Sequence, residues 1–152
     1  MVLEFLSAGQ DIALLVARVF FGALFLVHGY PKLLGPSRAQ MRGGMGQMGI
    51  PVLLFDLVGV LEVFGGLAIL FGFLTRATSF LFALQMVGTT ILYLTKLSKA
   101  PIPRGYLEEG FKRTHGYLSG WELDTVLLAL ALVFLTVGPG AFSFDALLGL
   151  GL

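Results

Sequence analysis

The stretch "ALLVARVFFGALFLVHGYPKLLG", residues 13–35, decides the fold of this chain. It is apolar along almost its whole length, and a helix needs about 20 predominantly apolar residues to cross a bilayer. It nevertheless carries Arg18, His28 and Lys32. Charged side chains in lipid cost about 2.5–3.5 kcal/mol on insertion scales, so they generally face the interior of a helix bundle and find partners there. The stretch therefore predicts a membrane-spanning helix with one polar face.

The composition of the whole chain supports a membrane protein. Hydrophobic residues make up 57% of the 152, charged residues 12%, and the mean hydropathy is +0.91. Soluble domains average about 45–50% apolar and about 25% charged residues. The net charge is +1 and there are no cysteines, which excludes a basic nucleic-acid footprint, disulfides and thiolate-held metal clusters within the chain. Any redox role would need a borrowed cofactor.

Four stretches are long and apolar enough to span a bilayer, at residues 12–34, 52–74, 77–95 and 121–138. We therefore expect one all-α domain over residues 1–152, a four-helix transmembrane bundle. A turn at Thr75 and Arg76 makes the second and third helices an antiparallel hairpin. The third loop is long, and "AFSFDALLGLGL" after "VGPG" is too short to span, so we expect a surface segment with Ser143 at an N-cap position.

Basic residues predict the orientation of the bundle. The first and third loops carry most of them, whereas the opposite side offers Arg76 alone. Those that flank or occupy the two long loops are Lys32, Arg38, Arg42, Lys96, Lys99, Arg104, Lys112 and Arg113. The positive-inside rule then places both long loops in the cytoplasm and both termini outside a multi-pass cell-membrane protein.

Every predicted span carries polar or small residues along one face, since residues three and four apart share a side of a helix. These faces consist of Arg18, Gly22, Phe25, His28, Gly29 and Lys32; Asp56, Gly59, Glu62, Val63 and Gly66; Thr78, Gln85, Gly88 and Thr89; and Glu122 with Asp124. Glycines beside acidic residues allow neighbouring helices to approach closely. We expect these faces to line the bundle interior.

Depth along the helices predicts two polar clusters. At 1.5 Å per residue, the long Arg18 side chain reaches the level of Glu62, with Gln85 at a similar depth. His28, Asp56 and Asp124 form the second cluster, with Lys32 at the cytoplasmic rim; a histidine flanked by carboxylates suits proton transfer. The candidate ligand-binding residues are Arg18, His28, Lys32, Asp56, Glu62, Gln85 and Asp124, and the candidate catalytic residues are His28 and Glu62.

Structural roles compete with each of these assignments. A pair of Arg18 with Glu62 is equally consistent with packing specificity alone, and a structural hydrogen bond is the more common role of a histidine near a helix end. Lys32 is also placed to extend to the membrane surface. A bis-histidine haem is improbable because His115 lies in a loop. The spacing of His28, Asp56 and Asp124 matches no metal signature, so we predict no metal.

Four motifs together resemble the DoxX family of small four-helix membrane proteins: "ARVFFGALFLVHGYPKLLG" (17–35), "MGIP" (48–51), "LEVFGGLAILFGFLTR" (61–76) and "GPGAFSFD" (138–145). The resemblance implies a relation to the small subunit of thiosulfate:quinone oxidoreductase and to terminal quinol oxidase subunits. The positions it points to are Arg18, His28, Gly29, Lys32, Glu62, Gly65, Gly66, Arg76, Gly138, Pro139 and Gly140. The resemblance predicts the fold of the chain more specifically than any reaction in which it takes part.

Three functions follow as hypotheses. The first is an accessory subunit of membrane redox chemistry that binds a quinone or quinol in the bundle, at most a subunit of a quinone-linked oxidoreductase. The second is a scaffold for a larger membrane complex, and the third, weaker one is a small-molecule or lipid transporter. The partners expected are membrane lipids and a redox-enzyme subunit, with a homo-oligomer left open, and residues 96–120 are available for docking or as a lid.

Overall fold

The computed structural model describes residues 2–96 and 121–150, with the side chains described from residue 9 onward. The helices are α1 (Val2–Leu33), α2 (Arg38–Gln47), α3 (Val52–Val60), a π-helical turn (Leu61–Gly65), α4 (Gly66–Phe71), α5 (Thr75–Thr95), α6 (Trp121–Val137) and α7 (Phe144–Leu147). These ranges contain no strand. Expectations about the third loop fall on residues 97–120, outside the described part of the chain.

Three of the described helical segments are long and apolar enough to cross a membrane: Gly9–Leu33, Val52–Phe71 and Thr75–Thr95. They correspond to the first three predicted spans. The described part of α6 has 17 residues, fewer than the about 20 that a span requires. A fourth span at this position therefore stays a prediction.

The helices form two pairs, in which α1 packs antiparallel along α3, the π turn and α4, while α5 packs along α6. Glycines bring the backbones of the first pair together, as small residues do at membrane helix interfaces. A Cβ atom on Gly22 would lie 2.6 Å from the carbonyl oxygen of Gly66, and one on Gly59 would lie 3.2 Å from Cβ of Lys32. These contacts fix the register of α1 against its neighbour.

Phenylalanine rings join the two pairs in the middle of the bundle. The Phe25 and Phe82 rings stack with centroids 4.0 Å apart, and Phe21 meets Phe82 and Phe134 edge-on at 5.4 and 5.5 Å. All four side chains are buried. Such aromatic pairs add about 0.5–1.5 kcal/mol beyond their buried area, so this cluster holds α1 against both α5 and α6.

The first connection between spans contains a helix that the sequence did not predict. α2 occupies Arg38–Gln47, buries none of its residues, and lies against the start of α3. Two of its arginines, one turn apart, bind Asp56 on α3: Nη2 of Arg38 lies 3.0 Å from Oδ1 and Nη2 of Arg42 lies 2.9 Å from Oδ2. This shared carboxylate holds α2 against the start of α3.

The segment after α6 ties the helices together at the end of the bundle opposite Lys32. Gly138 and Gly140 have φ angles of +95° and +81°, in the region that favours glycine. Arg76 donates from Nη1 to the carbonyl oxygens of Leu135 and Thr136, at 3.0 and 2.9 Å, and so satisfies the last turn of α6. Ser143 caps α7 by accepting the amide of Ala146 at 3.1 Å, which confirms the predicted N-cap.

Candidate functional site

Arg18 does not pair with Glu62, so that sequence-based prediction is wrong. Its guanidinium is fully buried, donates from Nη2 to the carbonyl oxygen of Phe142, and packs where a Cβ on Gly72 would overlap it. Gly72 follows Glu62 by ten residues, about 15 Å along a helix axis. The arginine therefore extends toward the C-terminal segment rather than toward the middle of the bundle.

Asp145 supplies the acidic partner at this end of the bundle. Its carboxylate accepts the amides of Leu74 and Thr75 at 2.7 and 2.8 Å, which caps the N-terminus of α5. It is buried and lies within electrostatic range of Arg18. Arg18, Asp145 and the cap form a structural lock that joins α1, α5, α7 and the segment before α7. We therefore assign Arg18 to the lock and not to a ligand site.

Glu62 lies in the π-helical turn, at the centre of a second polar cluster. Its side chain is buried, and its Oε1 accepts Nζ of Lys32 at 2.5 Å and Nε2 of Gln85 at 2.7 Å. Within the described residues its Oε2 has no hydrogen-bond partner, and neither has Oε1 of Gln85. A π turn widens the helix by one residue and is frequent at functional sites. This is the candidate functional site.

Close backbone packing places Lys32 beside Glu62. A Cβ on Gly29 would lie 2.7 Å from Cβ of Glu62 and 2.9 Å from the backbone nitrogen of Val63. Lys32 follows Gly29 by one turn, so its side chain runs along the same helix contact. The ammonium therefore bends into the bundle instead of extending only to the membrane surface.

A cavity of about 740 Å³ opens beside this cluster, between α3 with the π turn and α5. Its walls are mostly apolar side chains, including Phe55, Leu61 and Leu92. The polar or charged residues that line it are Lys32, Gln85, Thr89, Tyr93, Thr95, Lys96 and Asp124. Binding sites for small molecules commonly combine such apolar walls with a few placed polar groups and volumes of about 300–1,000 Å³.

Asp124 and His28 extend the polar cluster toward the end of the bundle where α1 stops. Asp124 lies beside Thr89 and within electrostatic range of Lys32 and His28. Thr89 itself donates to the carbonyl oxygen of Gln85 at 3.0 Å. His28 is exposed in the described structure. Asp124 thus lies close to Lys32, which binds Glu62, and to the exposed His28.

Asp56 does not join His28 and Asp124, contrary to the predicted second cluster. Arg38 and Arg42 on α2 hold both of its carboxylate oxygens, because α2 folds directly over the start of α3. Among residues 2–96 and 121–150, no three acidic, histidine or cysteine side chains come together as a metal site. The structure thus brings together Lys32, Glu62, Gln85 and Asp124, places His28 at their edge, and separates Arg18 and Asp56 from them.

The ion pair of Lys32 with Glu62 was missed from the sequence, although a signal for it exists. Each charge follows a glycine by three residues, as Gly29 precedes Lys32 and Gly59 precedes Glu62. A small residue one turn from a charge on each of two helices indicates that both charges lie at one close contact. Taken alone, these glycines predict close helix packing and do not identify the pair of charges beside them.

Known proteins that are similar to this chain are named as membrane proteins. The family model described as DoxX matches residues 13–97. The chain is 37% identical to "Inner membrane protein YqjF" of Escherichia coli (strain K12), over 91% of this chain and 94% of that protein. It is 36% identical to "Uncharacterized membrane protein Rv3486" of Mycobacterium tuberculosis, over 84% of this chain and 76% of that protein.

A third relative has a name that refers to an enzyme activity. The chain is 35% identical to "Putative oxidoreductase CatD" of Bacillus subtilis (strain 168), over 60% of this chain and 64% of that protein. No solved structure matches the chain. The matched membrane proteins and the three apolar helices together place this chain in a membrane.

Proposed function

Because the chain belongs to the DoxX family, we propose that it binds a quinone or quinol in the cavity beside Glu62 and serves as an accessory subunit of membrane redox chemistry. The observation that carries the proposal is the cavity itself. Its volume of about 740 Å³ and its apolar walls suit a ring with a hydrocarbon tail, and Lys32 and Gln85 offer hydrogen bonds at one end. One relative is named as an oxidoreductase, which agrees with this class of chemistry.

Lys32 is the residue best placed to hold a ligand oxygen. Its ammonium has three N–H donors, and Glu62 is the one acceptor that the described structure gives it. The remaining donors are free to bind an oxygen on the ring of a ligand, while Glu62 fixes the position of the ammonium. Gln85 lies on the same side of the cavity and adds an amide to this polar end.

A quinone carries electrons and protons together, so the site also needs a route for protons. Glu62 and Asp124 are able to hold protons near the ligand, and the exposed His28 is able to exchange them with water. Asp56 has no part in this route because two arginines hold it. Electrons would pass to or from a partner subunit.

The test is quinone binding by the purified protein in nanodiscs. Decylubiquinone and menadione are titrated against the wild type, Gln85→Leu, His28→Ala and, as a matched control, Gln47→Leu. Gln47 is exposed at the end of α2 and does not line the cavity. We expect saturable binding by wild type and control, and binding at least about tenfold weaker in Gln85→Leu, since tenfold corresponds to about 1.4 kcal/mol, within the range of one lost hydrogen bond.

Two results would contradict this proposal. The first is wild-type binding no greater than partition into empty nanodiscs. The second is equal binding by wild type and Gln85→Leu, which would place the ligand elsewhere. If His28→Ala alone binds like the wild type, His28 is removed from the ligand contacts and keeps only the proton-exchange role.

A scaffold role is the second candidate, and one observation favours it. Glu62 has two partners from the chain itself, Lys32 and Gln85, so its charge is balanced with no ligand present. A scaffold would co-purify with an oxidoreductase complex from native membranes while binding no quinone in nanodiscs. Binding of quinone by the isolated chain would exclude a purely structural role.

A further inference from the structure

We propose that the cavity selects the reduced form of its ligand, the quinol with its two hydroxyl groups, over the oxidised quinone. The inference rests on the proposed function and concerns the redox form that the site prefers. It follows from hydrogen-bond acceptors that the described chain leaves without donors. These acceptors are Oε1 of Gln85 and Oε2 of Glu62.

The Gln85 amide is oriented by its neighbour. Its Nε2 must face the carboxylate of Glu62, to which it donates at 2.7 Å, because a carboxylate only accepts hydrogen bonds. The opposite orientation would set two acceptor oxygens against each other. Oε1 of Gln85 therefore has no donor among the described residues, although the side chain is only 8% exposed and lines the cavity.

The Glu62 carboxylate lies directly behind this wall. Its side chain is 3% exposed and does not itself line the cavity, whereas both donors that bind its Oε1, Lys32 and Gln85, do line it. Its Oε2 remains without a partner in the described structure. A buried acceptor in an apolar medium strongly favours the arrival of a donor. The wall at this end of the cavity thus contains one unfilled acceptor, Oε1 of Gln85, and a second, Oε2 of Glu62, lies behind it.

The two redox forms of the ligand differ at this end of the cavity. Both have the same ring, the same tail and oxygens that accept hydrogen bonds from Lys32 and from the second N–H of Gln85, so these donors do not distinguish them. Only the quinol has O–H groups, which are able to donate to the unfilled oxygen of Gln85 in the wall and to that of Glu62 behind it. The quinone brings further acceptors and leaves both carbonyl and carboxylate oxygens unfilled.

Preference for the quinol changes the midpoint potential of the bound ligand. A ligand bound about tenfold more tightly when reduced has its midpoint potential raised by about 30 mV for a two-electron couple. The bound quinone is then easier to reduce, and the quinol is the form that accumulates on the protein. A partner that oxidises the ligand would meet the quinol at this site.

The experiment compares three ligands that share a tail: decylubiquinol, decylubiquinone and the dimethyl ether of decylubiquinol. Each is titrated anaerobically against the protein in nanodiscs, with empty nanodiscs as the partition control. We expect the quinol to bind about tenfold more tightly than the quinone, in line with one satisfied buried acceptor. The ether should bind no better than the quinone, because methylation removes both donors and keeps the ring and tail.

Variants of Gln85 and Glu62 test whether these two acceptors cause the preference for the quinol. Gln85→Leu removes one acceptor and should bring the two redox forms within about threefold, since less than 1 kcal/mol of discrimination then remains. Glu62→Gln replaces a group that only accepts with an amide that also donates, and should improve quinone binding relative to quinol. Gln47→Leu is the matched control and should keep the wild-type preference. The three wild-type titrations decide the question even if a variant does not fold.

The outcomes separate this inference from the function on which it rests. If the wild type binds none of the ligands, the proposed function fails. If it binds quinol and quinone equally, or binds the ether as well as the quinol, the function stands and the preference for the quinol is wrong. A preference that survives in Gln85→Leu and in Glu62→Gln would likewise overturn the assignment to these acceptors.

Discussion

Lys32 and Glu62 meet at 2.5 Å although 30 residues separate them in the chain. Lys32 remains partly exposed, at 26% of its side chain, whereas Glu62 is 3% exposed. The lysine thus joins the surface of the bundle to its interior. The carboxylate depends on this ammonium for most of its charge compensation, because its other partner, Gln85, is neutral.

Removing both charges should therefore destabilise the fold by less than the sum of the two single losses. Breaking a buried pair by changing one partner costs about 3–5 kcal/mol, whereas replacing both is often nearly neutral. We expect Lys32→Met and Glu62→Gln each to lower the free energy of unfolding, and the double variant to lose less than the sum by about 0.5–3 kcal/mol. The measurement is unfolding in mixed micelles followed by circular dichroism.

A double-mutant cycle between Arg18 and Glu62 provides the control for the pair of Lys32 with Glu62. Arg18 lies in the lock with Asp145 and does not contact Glu62, so Arg18→Met and Glu62→Gln should add within about 0.5 kcal/mol. Coupling between Arg18 and Glu62, or strict additivity between Lys32 and Glu62, would contradict the contacts described above.

Asp145→Ala should be more damaging than an ordinary loss of a cap. It removes both acceptors at the N-terminus of α5, worth about 0.5–2 kcal/mol, and leaves the buried Arg18 without its acidic neighbour. Asp11→Ala is the comparison, because Asp11 accepts the amide of Ala141 at 2.8 Å from a less buried position. We expect the larger loss in thermal stability for Asp145→Ala, and partial recovery when Arg18→Met is added. No recovery would mean that Arg18 and Asp145 act independently.

Gly29→Ala should separate α1 from the π turn. The added methyl group would lie 2.9 Å from the backbone nitrogen of Val63, and overpacking of this kind costs about 1–3 kcal/mol. Gly43→Ala is the matched control, since a Cβ there meets no atom within 4 Å and alanine favours a helix interior by about 0.5–1 kcal/mol. Unfolding measurements should therefore give opposite signs for the two variants. Equal stability of Gly29→Ala and wild type would exclude the close contact.

The absence of cysteines makes the predicted orientation directly testable. Single cysteines replace Ser37, beside α2, and Ala141, in the segment before α7, both of which are exposed. If the positive-inside prediction holds, a membrane-impermeant maleimide added to intact cells labels Ala141→Cys, and labels Ser37→Cys only after the membrane is opened. The reverse pattern would invert the bundle and place the His28 end outside.

The sequence predicted what depends on periodicity and composition. The lengths of the apolar stretches predicted the three spans. The faces that carry Gly22 and Gly66 predicted the close contact between the first and second of these spans. The DoxX resemblance is confirmed by the family match over residues 13–97. Lys32, Glu62, Gln85 and Asp124 lie in one region, whereas the sequence predicted two clusters, with Glu62 and Gln85 in the first and Lys32 and Asp124 in the second.

The partners of the charged side chains could not be predicted, because the depth of a residue in the membrane does not determine which side chain it binds. Arg18 was assigned to Glu62 by reach, yet Asp145 and the carbonyl of Phe142 compete for it, and both lie in a segment whose return path the sequence does not specify. Asp56 was assigned to His28, but α2 supplies two arginines to it. The π turn also rotates Glu62 relative to a regular helix, which a period of 3.6 residues cannot anticipate.

The contact of Arg18 with Phe142 spans 124 residues, and it therefore bears on how the protein is made. The helix that carries Arg18 enters the membrane early in synthesis, when its carbonyl partner and Asp145 have not yet been translated. Until those residues arrive, the guanidinium stays in lipid or at its surface without its final partners. A chain that stops before them would carry an unpaired charge within its first helix.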